Sequence, residues 1–215
     1  NWDHTDSDYN NFDELIASFE LQKSNPEKVI AAIANNWYSI IPDAFFDRTK
    51  AELYLHKNTG KSALGSTRFV RIDSINAWCC FHLDHRLDMF LQNQFPGINI
   101  THESVSLINK LMLDNESNKE LIWWHNNHLN IAIKTDSKLS HFNTYKAENI
   151  EEVLYYTTLV YQKNNRDIQN HNLIIHTNNT ILLSDKVKQF YPKLKLNNRS
   201  DSEKFLSLFN LSTCA

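Results

Sequence analysis

Two pairs of histidines are the residues whose type and spacing most directly suggest chemistry. His82 and His85 flank Leu-Asp, and His125 and His128 flank Asn-Asn. Imidazole nitrogens bind zinc, but His125 and His128 without a cysteine or carboxylate would make a poor zinc site. In a hairpin these two lie opposite each other, whereas His141 falls about 13 Å further along the sheet. We therefore predict solvated histidines at a turn and no metal site.

Other side chains could serve in acid–base or nucleophilic catalysis. They stand in or near the predicted strands of the first half, and they are Asp84, Asp88, His102, Glu103, Cys79 and Cys80. No spacing fixes two of the carboxylates at one site, and a nucleophilic cysteine needs a histidine and an activating environment. Adjacent residues of a strand point to opposite faces, so we expect both cysteines within the strand core. The sequence therefore predicts no catalytic residue.

The second half shows a readable order of elements: three strands, then helix, strand, helix, strand and helix. Apolar runs predict strands at 120–125, 128–134 and 138–145, with Asn126-Asn127 and Asp136-Ser137 as two-residue turns. Helical spacing begins at Asn149, which has the character of an N-cap, and continues to about residue 163. Further elements complete the pattern: a strand at 172–176, a helix from Thr180 or Ser184 to 191, a strand at 194–196 and a helix at 201–209.

The alternation in the three strands predicts one core face and one mixed face. The core face is expected to carry Ile122, Trp124, Leu129, Ile131, Ile133 and Phe142. The mixed face is expected to carry Trp123, His125, His128, Asn130, Ala132, His141 and Asn143, with Tyr145 beside His128.

The first half also ends in helix, strand and helix. Its later elements are predicted as strands at 67–72, 76–83 and 98–102 and helices at 85–94 and 104–113. Earlier elements are predicted as a helix at 13–22, a hairpin over 29–41 that turns at Asn35-Asn36, and a helix at 44–56. The acidic stretch from Asn1 to Asn11 carries no periodic pattern.

Two aromatic segments resemble the motifs of a known family. One is Trp37-Tyr-Ser-Ile-Ile-Pro42 followed by Phe45-Phe46, and the other is Phe142-Asn-Thr-Tyr145 followed by Glu151-Glu-Val-Leu-Tyr-Tyr156. Together they resemble a Bacteroidetes family of unknown function, domain of unknown function 3822. The resemblance implies an α/β protein with an actin-like ATPase fold, which consists of two ribonuclease-H-like lobes, and it implies no reaction. We expect a first lobe at 1–114 without its opening strands, a linker at 115–118 and a second lobe at 119–215.

ATPases with the fold implied by this resemblance bind a nucleotide. Those proteins hold phosphates on hairpins with glycine, which lets backbone N–H groups approach, and aspartate, which organises Mg²⁺. The corresponding hairpin of the second half contains neither residue and consists of His125, Asn126, Asn127 and His128. The loop where such proteins place glycines against adenosine consists of Thr177, Asn178 and Asn179 and contains no glycine. We therefore expect degenerate loops, no cofactor and no ATP hydrolysis. The alternative is a nucleotide-binding ATPase or kinase-like enzyme with unconventional phosphate loops.

Charge and hydropathy argue against nucleic acid and a membrane as partners. The chain of 215 residues has a formal net charge of -3, shows no basic stripe for nucleic acid and has no apolar run that could span a bilayer. Three cysteines and the lack of a signal-peptide pattern favour the cytoplasm. We expect a non-catalytic module that binds an unknown protein partner or self-associates. The predicted interaction face holds Trp123, His125, His128 and Tyr145, since tryptophan is favoured at interfaces.

Overall fold

A computed structural model of the protein describes residues 28–60, 65–168, 172–177 and 183–198. Across these ranges ten strands and five α-helices are present, and they fall into two compact units. One unit comprises the described residues up to Arg71 together with Trp78–His102. The other comprises Ile72–Ala77 together with the described residues from Glu103 onward. The last division between the units falls at His102–Glu103, while the predicted lobe boundaries around 115–118 stay a prediction.

The first half of the chain alternates strands and helices. In chain order they are β1 Ile30–Ile33, β2 Tyr38–Pro42, α1 Ala51–Thr59, β3 Ser66–Ile72, β4 Ala77–Leu83, α2 His85–Gln94, β5 Asn99–His102 and α3 Glu103–Leu113. The strands from β3 to β5 and the helices α2 and α3 confirm the predicted elements to within two residues. Asp84 begins α2 by accepting hydrogen bonds from the backbone N–H groups of Arg86 and Leu87. The predicted helix at 13–22 and the acidic stretch at 1–11 lie outside the described residues.

The hairpin predicted over 29–41 is wrong. β1 pairs in parallel with β5, whereas β2 belongs to a separate sheet with the order β2-β4-β3. Neither Asn35 nor Asn36 adopts the positive φ that a two-residue hairpin turn needs. The Asn35 amide instead donates to the carbonyl of His82 and its oxygen accepts from the N–H of Trp37, at 3.1 and 2.8 Å. These bonds direct the chain from one sheet to the other.

The helix predicted from residue 44 starts later than expected. Two short 3₁₀ turns, Asp43–Phe45 and Arg48–Lys50, precede α1. The carboxylate of Asp47 accepts from the N–H and hydroxyl of Thr49 at 3.0 and 2.7 Å, so it caps a 3₁₀ turn in the middle of the predicted helix. α1 ends at Gly60, whose φ of 67° is left-handed.

The second half forms a five-stranded sheet with helices. Its elements are β6 Lys119–His125, β7 His128–Thr135, β8 Lys138–Lys146, α4 Ile150–Lys163, β9 Ile174–Thr177, α5 Asp185–Phe190 and β10 Lys195–Asn198. The sheet order is β10-β9-β6-β7-β8, with β9 parallel to both of its neighbours. The predicted order of three strands, helix, strand, helix and strand is confirmed, and the last predicted helix at 201–209 lies outside the described ranges.

Local residue chemistry explains these boundaries. Both predicted turns have positive φ at both positions, 45° and 59° at Asn126 and Asn127 and 49° and 61° at Asp136 and Ser137. The side chain of Asn149 accepts from the N–H of Glu152 at 2.9 Å and so begins α4 as predicted.

The sheet of the second unit has an apolar cluster on each face. The larger cluster packs with α4 and contains Ile122, Trp124, Leu129, Ile131, Ile133, Val153, Leu154, Val160 and Tyr161 among its members. The smaller cluster packs with α3 and contains Leu107, Leu111, Leu121, Trp123 and Ala132, with Leu139 and Phe142 against it. Both faces are therefore core, and the face predicted as mixed is covered by a helix.

The predicted register of β8 is wrong by one residue. A β-bulge leaves Ser140 without an opposite residue, because Lys134 faces Leu139 and Ile133 faces His141. A one-residue shift moves every later side chain to the other face of the sheet. Phe142 therefore lies opposite Ala132 on the α3 side, not on the predicted core face. The side chains moved to the α4 side are His141, Asn143 and Tyr145.

Candidate functional site

The β6–β7 hairpin brings the second histidine pair together. His125 lies directly opposite His128 in the ladder, as predicted. The Nε2 of His125 lies 3.2 Å from a carboxylate oxygen of Glu103, the first residue of α3, which is buried. This contact fixes one ring nitrogen of His125 on a carboxylate and attaches the hairpin to α3. No group of three or more His, Cys, Asp or Glu side chains in the described ranges is placed to hold a metal ion.

Trp123 lies beneath α3, not on the protein surface. It is 1 % exposed and packs in the cluster with Leu107 and Leu111. Its Nε1 and the Nδ2 of its cross-strand neighbour Asn130 have no hydrogen-bond partner among the described residues. The predicted interaction face is thus assembled only in part: Trp123, His125 and His128 share a side of the sheet.

Tyr145 lies on the opposite side of the sheet, within a continuous series of rings. Its hydroxyl lies 3.3 Å from the Nε2 of His141, and its ring stacks on Tyr156 of α4 with centroids 4.8 Å apart. Tyr156 in turn contacts Tyr155 edge to face at 5.3 Å. Burial lowers the pKa of His141, and the nearby charge of Lys163 lowers it further. The series joins β8 to the outer surface of α4.

The outer surface of α4 carries a stripe that sequence reasoning missed. Its exposed residues recur at helical spacing, and we call them the α4 stripe: Glu151, Tyr155, Leu159, Gln162 and Lys163. Tyr155 and Leu159 are 59 % and 44 % exposed, although both are large and apolar in part. The spacing of four residues was visible in the sequence. It could not be separated from the core-facing pattern of Val153, Leu154 and Val160 without the position of the sheet.

Only part of the two predicted nucleotide loops lies within the described residues. Asn126 and Asn127 form the tight β6–β7 turn, and Thr177 ends β9 as a buried residue. Asn178 and Asn179 lie outside the described residues. Glu103 places a buried carboxylate 3.2 Å from the imidazole of His125 beside the turn.

The other residues considered for chemistry have structural contacts. Asp84 caps α2, the carboxylate of Asp88 binds Arg68 at 2.7 Å, and His102 lies 3.0 Å from the carbonyl of Asn35. His82 is buried, and its ring lies 4.8 Å from that of Trp37.

Cys79 and Cys80 are buried strand residues, as predicted. Both are 0 % exposed, and neither is in a disulfide with another described residue. Burial raises the pKa of Cys80 to about 11. A thiol with so high a pKa stays protonated near neutral pH and is a weak nucleophile.

The second unit also has a cavity of about 970 Å³. It is lined by residues that include Asp114, Lys119, Glu120, Thr135, Asn164 and Arg166. Arg166 pairs with Glu120 at 2.6 Å, and Lys119 pairs with Asp114. These lining charges are thus engaged with each other.

The architecture is that of the actin-like ATPase fold. The structure is similar to the crystal structure of a Bacteroides thetaiotaomicron protein described as having an actin-like ATPase fold and unknown function, with a TM-score of 0.77 and 21% identity. The match covers 96% of this chain and 81% of that one. Residues 3–194 match the family described as Protein of unknown function (DUF3822), and the chain belongs to that family. The predicted fold and family are confirmed.

More distant similarities are weaker. A filament structure of AlfA from a Bacillus subtilis plasmid matches with a TM-score of 0.36 and 11% identity, over 94% of this chain and 67% of that one. The crystal structure of apo psk41 parM protein matches with a TM-score of 0.32 and 12% identity, over 96% of this chain and 71% of that one. No curated protein matches the chain. In the described ranges, no helix has the combined length and apolar character for crossing a bilayer.

Proposed function

We propose that this protein is a non-catalytic module of the actin-like fold class that acts by binding another protein chain through the α4 stripe. The observation that carries the proposal is the exposure of Tyr155 and Leu159, 59 % and 44 %, on the same side of one helix. Removing the exposed apolar part of these side chains from water favours association with a partner. Two such residues one helical turn apart provide a core for a protein interface.

The aromatic series behind the stripe supports this role. Tyr155 contacts Tyr156, which stacks on Tyr145, so the exposed ring has a packed neighbour. A side chain that is already held loses less conformational freedom when a partner binds. Tyrosine adds a hydroxyl that can bond to the partner at the rim of the contact.

The hairpin of the second unit supports the non-catalytic part of the proposal. A phosphate needs free backbone N–H groups, and Asn126 and Asn127 keep side chains where actin-like ATPases have glycine. The buried carboxylate of Glu103 also lies beside this hairpin, through His125. A negative charge of low exposure is unfavourable to a bound phosphate.

We include a cytoplasmic location in the proposal, supported by the odd number of cysteines.

Affinity capture with matched variants tests the proposed function. Tagged wild type, Tyr155→Ser/Leu159→Ser and the control Met89→Ser would be expressed in the native host, and bound proteins would be measured by mass spectrometry. Met89 is 52 % exposed on α2 and lies outside the stripe. We expect wild type and the control to capture the same partner protein in stoichiometric amount, whether that partner is a host protein or a second copy of this chain. We expect the double variant to lose this partner. Equal retention by all three would contradict the proposal.

A further inference from the structure

The charges of the α4 stripe are arranged symmetrically about its centre. Glu151 lies in the first turn of α4 and Lys163 is its last residue. Tyr155 and Leu159 lie between them. Glu151 and Lys163 are equally distant from position 157 along the helix, and Tyr155 and Leu159 are also equally distant from it. Both charged side chains are exposed.

Neighbouring charges are already engaged within the chain. Lys146 pairs with Glu148 at 2.6 Å, and a carboxylate oxygen of Glu152 accepts from the backbone N–H of Glu148 at 2.8 Å. Glu151 and Lys163 are therefore the charges that α4 presents for an external contact.

We propose that the stripe binds the same stripe of a second copy of this chain, with the two α4 helices antiparallel about a two-fold axis at position 157. The inference rests on the proposed function and names the partner of the same surface. In this arrangement Tyr155 contacts the partner's Leu159, and Glu151 lies opposite the partner's Lys163. Two-fold symmetry repeats both contacts, because residue i meets residue j and residue j meets residue i.

Electrostatics selects the antiparallel arrangement. An antiparallel pair gives two Glu–Lys contacts and places the positive end of each helix dipole beside the negative end of the other. A parallel pair would place Glu151 against the partner's Glu151 and Lys163 against the partner's Lys163, which is repulsive at both ends. An exposed ion pair contributes little to affinity, so the apolar contact supplies most of the affinity and the charges set the orientation.

Charge reversal followed by mixing tests this geometry. Glu151→Lys alone and Lys163→Glu alone each place like charges at both ends of their own dimer. We expect the dimer dissociation constant of each variant to rise about tenfold at low salt, because two attractive pairs become repulsive. An equimolar mixture of the two variants places opposite charges at both ends of a heterodimer. We expect the mixture to dimerise as tightly as wild type, measured by light scattering with size-exclusion chromatography.

Controls separate folding and function from this inference. Circular dichroism melting would show that each variant keeps the wild-type fold. The mixture is a second control, because dimerisation restored by opposite charges would show that neither variant is misfolded. If the mixture dimerises no better than the single variants, the antiparallel arrangement is wrong. If wild type is monomeric at all concentrations while the Tyr155→Ser/Leu159→Ser variant loses a captured host protein, the inference fails and the proposed function stands. If that variant retains everything that wild type captures, the proposed function fails as well.

Discussion

The ring of Tyr145 on β8 stacks on the ring of Tyr156 on α4, with centroids 4.8 Å apart and planes inclined by 22°. Tyr156 also contacts Tyr155, and Tyr145 reaches His141 through its hydroxyl. This relationship exists because the bulge at Ser140 turns Tyr145 toward α4. One extra residue in an edge strand thereby links the sheet to the surface that we propose as the interaction site.

From the position of Tyr145 we predict that two substitutions there lower the free energy of unfolding by different amounts. Tyr145→Ala removes a half-buried ring from the α4 side and should lower the free energy of unfolding by about 2 kcal/mol. Tyr145→Phe keeps the ring and loses only the contact with His141, so it should cost less than about 1 kcal/mol. Urea denaturation monitored by circular dichroism measures both. Equal and small effects would indicate that Tyr145 points to solvent and that the register is incorrect.

Gly65 predicts a steric effect in the first unit. A Cβ at this position would lie 2.3 Å from Cε1 of His82 and 2.8 Å from the carbonyl oxygen of Leu83. Gly65→Ala should therefore destabilise the protein by about 1–3 kcal/mol through overpacking. The combination with His82→Ala removes the closer of these contacts and should cost less than the sum of the two single changes. Thermal unfolding of the four proteins tests this, and strict additivity would contradict it.

Asp88 predicts a contribution to acid sensitivity. Burial on its own would raise the pKa of Asp88, but hydrogen bonds from Arg68, Ser66 and Gln92 outweigh it and hold the pKa below its usual value. The stability from this depressed pKa is present above about pH 4 and is lost as pH falls through the folded-state value. Asp88→Asn should lower the free energy of unfolding at neutral pH by about 1.5–3 kcal/mol and flatten its fall in acid.

Urea denaturation of wild type and Asp88→Asn at a series of pH values provides the measurement. Asp185→Asn is a matched control, because that carboxylate is exposed at the start of α5. Parallel pH curves for wild type and Asp88→Asn would rule out the predicted role of the Arg68 pair.

The hairpin at Asn126-Asn127 predicts that ATP does not bind with useful affinity. Titration calorimetry with ATP and Mg²⁺ should show no saturable heat at micromolar nucleotide, because the loop lacks the glycine and aspartate that hold phosphate and metal. A phosphate-release assay on the same sample provides the second measurement. Micromolar binding with phosphate release would favour the alternative, an enzyme with unconventional phosphate loops.

Much of the second half was predictable because its local signals agree with its tertiary environment. Asn126-Asn127 and Asp136-Ser137 adopt the positive φ expected of two-residue turns, and Asn149 caps α4. Turn and cap chemistry act within a few residues, so a sequence shows them directly. The same turn signal failed at Asn35-Asn36, where the Asn35 side chain bonds to the distant His82.

The candidate site was predicted less well because it depends on long-range packing. The bulge at Ser140 has no distinctive residue, and it reverses the side of the sheet on which Tyr145 lies. Tryptophan is a residue type favoured at interfaces, yet α3 covers Trp123. The exposure of Tyr155 and Leu159 follows from the placement of α4 on the sheet, which helical spacing alone does not give.

Hydroxyl-radical footprinting with mass spectrometry tests most directly whether the α4 stripe binds the α4 stripe of a second copy of this chain. The oxidation rates of Tyr155 and Leu159 would be compared in dilute and concentrated protein, with Phe45 and Phe190 as controls that are 74 % and 56 % exposed. We predict that concentration protects Tyr155 and Leu159 and leaves both controls unchanged. Unchanged oxidation of Tyr155 and Leu159, or protection of the controls alone, would contradict the proposed pairing of two α4 stripes.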